Sequence, residues 1–207
     1  MPMPIAGQVG PSALNAQDGA NIEVRQGHTG ELIFQQLHGR YFETMARGAM
    51  YNVANQAAQA VSANLATAYT GLMLYNPIGS GTMLVLNKHK FALTVAPAAI
   101  ASLGLIAGVQ ATPPTATTVI PVRSNQIGNS KTGVGLAFSA ATVSAPFWLT
   151  DSVDGFTAAA LPGPSAIVDL EGSVGIIPGG FVAVGALTAV TGLGFMFWEE
   201  VPFNVGG

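Results

Sequence analysis

Short apolar runs broken by turn-forming clusters constrain this chain more than any other feature. Leu161-Pro162-Gly163-Pro164 precedes residues 166–170, and Gly172-Ser173 precedes residues 174–177. Pro178-Gly179-Gly180 precedes residues 181–187, and residues 193–201 end the series. Turn signals at short intervals between short strands are the signature of a β-sandwich or barrel. Successive side chains of a strand point to opposite faces. In the last run, Phe195, Phe197 and Glu199 therefore share one face, and Met196, Trp198 and Glu200 the other.

Residues 71–95, GLMLYNPIGSGTMLVLNKHKFALTV, read as a β-hairpin about the turn cluster at 76–81. In its second arm, Val85, Asn87, His89, Phe91, Leu93 and Val95 fall on one face. Leu84, Leu86, Lys88, Lys90, Ala92 and Thr94 fall on the other. His89 lies on the more apolar face and reads as a core histidine rather than a ligand. Lys88 and Lys90 matter more, because charge is scarce: 8% of residues are charged, against about 25% in an average soluble domain. Two lysines on one face then read as an edge guard or a subunit contact. A chain so poor in charge suits a setting where much of its surface meets other protein or lipid.

The seven Lys and Arg are spread along a chain of net charge −3, which argues against a nucleic-acid surface. Residues 91–109 and 172–198 carry no charge and are long enough to span a bilayer. Pro97, Gly104 and Gly108 interrupt the first, and Pro178-Gly179-Gly180 breaks the second. Such turns would leave backbone groups unsatisfied in lipid, so no membrane span is expected. The first residues lack a basic region followed by an apolar core and do not read as a secretory signal.

Residues 1–30 read as an extended N-terminal arm that orders on a neighbouring subunit, and residues 31–207 as the β domain. Within it, residues 31–51 suggest a strand, a turn at His38-Gly39 and a second strand through Tyr41. Residues 52–68 fit either a helix or an Ala-rich strand pair. Pro113-Pro114 makes residues 110–121 a loop or edge segment.

No catalytic constellation stands out. Cysteine is absent, and no GxSxG motif occurs. His28, His38 and His89 are widely spaced. Asp151 with Asp154, and Asp169 with Glu171, read as solvated turn carboxylates rather than a calcium loop. Glu199 and Glu200 point to opposite faces and cannot act together as a glycosidase pair. Trp148, Trp198, Phe195 and Phe197 suit core or interface packing better than a carbohydrate platform. The expectation is a non-enzyme without catalytic, cofactor-binding or metal residues.

The motifs HGRYFETMARG (38–48), YTGLMLYNPIGSGTMLVLNK (69–88) and IIPGGFVAVG…FMFWEEVP (176–202) occur in an order that resembles tailed-bacteriophage structural proteins. The likeness is to head decoration or cement proteins. It implies an all-β, antiparallel β-sandwich that is jelly-roll-like, with the extended N-terminal arm. It also implies a homotrimer on the phage head surface that bridges major capsid protein subunits, with no nucleic acid and no membrane as partner. Arg40, Arg47, Lys88, Lys90, Glu199 and Glu200 are the residues expected at subunit or capsid contacts. The alternative is a head or tail fibre module that meets a host through residues 111–131 and 146–163.

Overall fold

The computed structural model of the protein describes residues 7–8, 24–25, 39–99, 101–149, 153–156 and 166–203. The chain divides into two units, Met1–Phe42 and Glu43–Gly207. In the first, β1 (Gly7–Gln8) and β2 (Val24–Arg25) form a short parallel pair. The rest of the arm expected at 1–30 lies outside the described residues.

A short helix, α1 (Phe42–Ala46), leads into β3 (Met50–Ala54), β4 (Gln59–Val61), β5 (Ala68–Tyr69) and β6 (Met73–Tyr75). Then follow β7 (Thr82–Leu93), β8 (Ala101–Val109), β9 (Thr115–Ile120) and β10 (Arg123–Ser124). The series continues with β11 (Leu136–Thr142), β12 (Phe147–Trp148), β13 (Val153–Phe156), β14 (Ala166–Ile176), β15 (Gly180–Ala186) and β16 (Val190–Pro202). The second strand expected through Tyr41 is absent: Arg40 and Tyr41 form a turn, and Phe42 N donates to Gly39 O as α1 begins. Residues 52–68 contain no helix; β3 runs to Ala54, and β4 pairs with β16.

The strands form two antiparallel sheets. The first runs β10-β3-β16-β7-β14, with β4 beside β3 on the same edge of β16. The second runs from β12 and β13, both on β8, through β15 and β6 to β11, which carries β9 on its far edge. Take the principal strands in chain order as β3, β6, β7, β8, β12 with β13, β14, β15 and β16. One sheet then reads first, eighth, third, sixth, and the other second, seventh, fourth, fifth. This is the double Greek key of a jelly-roll sandwich. β9 and β11 are additions that widen the second sheet, while β10 between them extends the first sheet beyond β3.

The core fills the space between the sheets, with Trp198, Tyr51, Leu74, Leu84, Leu86 and Met196 fully buried. Burying a side chain of this size stabilises the fold by about 1.5–3 kcal/mol. β15, GFVAVGA, is buried at every position, so its sequence shows no alternation.

Two segments depart from the sequence reading. Residues 71–95 are not a hairpin: β6 belongs to the second sheet and β7 to the first, so the cluster at 76–81 is an arch between sheets. Pro178-Gly179 makes a second arch from β14 to β15. The two arches are tied by Asn76, which is fully buried. Asn76 N donates to Gly180 O at 2.9 Å, and Gly179 N donates to Asn76 O at 2.8 Å. The Asn76 side-chain amide donates to Thr82 O and Ile176 O, each at 2.7 Å, while Ser80 Oγ donates to Asn76 Oδ1 at 2.8 Å.

The second departure is a bulge in β7. Lys88 pairs with Phe197 and Leu86 with Trp198, so Asn87 is an extra residue opposite a regular β16. The extra residue inverts the alternation. Leu84 and Leu86 face the core before the bulge, and His89, Phe91 and Leu93 face it afterwards. Leu84 and Leu86 therefore do not share a face with Lys88 and Lys90. On the other side of β7, residues 170–173 of β14 break the register at the same level. Glu171 and Gly172 both adopt positive φ there, so the two strands expected at 166–170 and 174–177 are one interrupted strand.

Candidate functional site

The outer face of the first sheet collects side chains far apart in sequence. Pairing of β7 with β16 sets Phe195 beside Lys90, and pairing of β7 with β14 sets Ile167 on its other side. One step along, Phe197, Lys88 and Asp169 form the neighbouring row. Glu199 follows beside Val85. The strand alternation read for Phe195, Phe197 and Glu199 thus holds in the sheet. Ile167 is 61% exposed and Leu193 38%, while Phe195 is half-buried.

The charges on this face differ in their partners. Lys88 Nζ lies 3.1 Å from Asp169 Oδ2, with both side chains more than a third exposed. Solvent screens such a pair to about 0–1 kcal/mol. Lys90 makes no ion pair or hydrogen bond to any of the described residues. Its stem lies between two apolar neighbours. Because β7 is an interior strand, neither lysine guards a sheet edge; both stand in the middle of a face.

The remaining expected contact residues lie elsewhere. Glu200 is on the inner side of β16, where Oε1 accepts from Gly135 N at 3.1 Å and from Trp198 Nε1 at 3.4 Å. A side chain at Gly133 would strike Glu200 Oε1 and the Tyr51 ring, so glycine lets the loop before β11 close on this carboxylate. Trp198 and Tyr51 rings lie 6.3 Å apart, tilted by 31°. Glu200 therefore anchors a loop. Arg47 follows α1, its N–H bonded to Glu43 O at 3.0 Å. Arg40, in the first unit, sits 5.4 Å over the Tyr41 ring. Neither arginine is on a strand.

The aromatic residues considered together in the sequence are dispersed. Trp198 is in the core, whereas Phe195 and Phe197 lie on the outer face of the first sheet. Trp148 belongs to the second sheet, where its ring covers Gly185 so closely that a side chain there would collide with it. They form no single platform.

His89 is buried, and both ring nitrogens lack a hydrogen-bond partner. Burial pushes its pKa down to about 4, because the charged form loses hydration that nothing replaces. Among the described residues no three of His, Cys, Asp and Glu are grouped as metal ligands. No helix among them is long and apolar enough to cross a membrane. An open groove of about 580 Å³ lies on the second sheet, lined by residues that include Gln110, Thr112, Thr115 and Ser144. Gln110 Oε1 accepts from Ser144 N at 3.2 Å, and Gln110 Nε2 donates to Thr112 O at 2.8 Å. Comparison of the chain with protein-family models, curated proteins and solved structures finds no match.

Proposed function

We propose that this chain is a virion structural protein, a decoration or cement protein that stabilises a tailed-phage head by bridging major capsid subunits as a homotrimer. The observation that supports this most is the row Phe195–Lys90–Ile167 on the outer face of the first sheet. Interface cores are poor in charge and rich in aromatic residues. Here one lysine without a partner among the described residues stands among apolar side chains. A carboxylate of a neighbouring protomer or capsid subunit would pair with it. The jelly roll is used by capsid domains but also by lectins and cupins, so the fold alone favours no single role. A total buried area of about 1,600 Å² suffices for a specific contact. Repetition over a symmetric shell adds avidity without strong single contacts.

The test is co-sedimentation with heads purified from particles lacking the protein. Wild type should pellet with the heads. Phe195→Asp and Lys90→Glu should remain in the supernatant while keeping the parental melting temperature. If both folded variants bound the heads like the parent, the reading would be wrong.

A second reading, a fibre module that meets a host surface, draws on the groove around Gln110, Thr112 and Ser144. It predicts binding to host cells that Gln110→Trp abolishes, with no affinity for heads.

A further inference from the structure

The sheets leave several edges open, and these are not alike. β14 carries Asp169 and Glu171 and is interrupted at 170–173. β10 has two residues, one of them Arg123. β12 and β13 have two and four residues. Charges, irregularities and shortness are the usual means of keeping an edge from recruiting another strand. β9 carries no charge and is longer than β10, β12 and β13.

β9 is TATTVI, six residues with no charge and no proline. Five of the six are β-branched, which favours extended backbone. Its inner edge pairs with β11 from Thr115↔Thr142 to Ile120↔Ala137. β11 uses its other edge for β5 and β6, so β9 ends the sheet. Among the described residues nothing pairs with the outer edge of β9, and Val119 beside it is 68% exposed.

We propose that this edge binds the β9 of a second copy of the chain, antiparallel about a two-fold axis normal to the sheet. Three observations select that occupant. Antiparallel pairing about such an axis is self-complementary, since each N–H row meets the same C=O row reversed. An axis near Thr118 brings Thr118 opposite its own copy and Ala116 opposite Ile120, with side chains on matching faces. Because β9 is uncharged, no like charges meet across the axis, and a partner selected by charge would find nothing to bind. Finally, Pro113-Pro114 and Pro121 flank the strand and lack N–H groups. A long extended peptide would overrun them, whereas a second β9 has the matching length. The contact joins two second sheets into one continuous sheet. It is separate from the outer face of the first sheet and does not depend on the virion reading.

The chain has no cysteine, so a single introduced thiol reports only on contacts between copies. Opposed residues in an antiparallel pair have Cα atoms about 4.5–5.5 Å apart. The Thr118→Cys variant of the full chain, treated with a short thiol–thiol crosslinker, should convert mainly to covalent dimer. The Ile127→Cys variant, in a loop position that is 95% exposed, should not. In sedimentation equilibrium, Thr118→Lys should lower the assembled mass at least two-fold while keeping the parental melting curve. A monomeric parent at micromolar concentration would overturn the proposal. So would a Thr118→Cys variant that crosslinks no faster than Ile127→Cys, a result that stands even if the lysine variant fails to fold.

Discussion

The side-chain amide of Asn76 donates to the backbone carbonyl of Ile176 across 100 positions of sequence, at 2.7 Å. The same amide donates to Thr82 O. One side chain thus joins the two arches that carry the chain between the sheets. Asn76→Leu leaves the buried Ile176 carbonyl without its side-chain donor, and the part-buried Thr82 carbonyl with Ser80 Oγ alone as a side-chain donor. Each such loss costs about 1–3 kcal/mol. Chemical denaturation should show a loss of about 3 kcal/mol with an unchanged m-value. Asn76→Asp keeps the acceptor but lacks the donors and should be similarly damaging.

His89 makes stability depend on pH. Its folded pKa, about 4, lies below the ordinary value of 6.5. A neutral imidazole is buried in the native state, and the unfolded chain binds the proton more readily. The stabilisation is therefore present above pH 6.5 and is lost as pH falls from there towards 4. A shift of this size corresponds to about 3 kcal/mol. His89→Phe should flatten the stability profile between pH 4 and 6.5. A parental slope in that variant would assign the acid sensitivity to other groups.

Lys88 and Lys90 should separate in their effects. Lys88→Ala removes an exposed ion pair with Asp169 and should cost less than about 1 kcal/mol, an effect that added salt suppresses. Lys90→Ala removes no ion pair or hydrogen bond with the described residues and should change the melting temperature little. Its effect should appear mainly in association. If the double variant assembles and stays soluble like the parent, neither lysine serves a contact.

Glu200→Ala should act through the loop it holds. The carboxylate accepts from Gly135 N and Trp198 Nε1, and hydrogen bonds to a charged group contribute about 1.5–3 kcal/mol each. Urea titration followed by tryptophan fluorescence should show a loss within that range and an altered native spectrum, because Trp198 reports the change. Glu199→Ala, on the opposite face of β16, should leave both unchanged.

The all-β architecture was legible because Pro-Gly clusters recur between short apolar runs. Which sheet each strand enters was not. Asn76-Pro77-Ile78-Gly79-Ser80-Gly81 shows that the chain turns, and a hairpin and an arch use the same residue types. The faces of β7 were legible on each side of Asn87 but not across it, since nothing in Leu86-Asn87-Lys88 marks an unpaired residue. FETMA in α1 spans too few residues to display a helical period. Lys88, Lys90 and Glu199 were visible as scarce charges. Their alignment with Phe195 and Ile167 depends on strand register between segments roughly 80–100 residues apart, a relationship that local alternation does not encode.

The position of β16 has a consequence for how the molecule is made. Among the described residues it is the last strand, yet it lies inside the first sheet between β3 and β7. Until it leaves the ribosome, β3 and β7 have no common neighbour and their facing edges stay open. More than a hundred residues separate the synthesis of β3 from the strand that covers it. Such non-local closure is slow, and the waiting edges are exposed to aggregation. The first sheet should therefore form after translation has passed residue 202. Nascent chains arrested before β16 should remain protease-sensitive throughout β3 and β7.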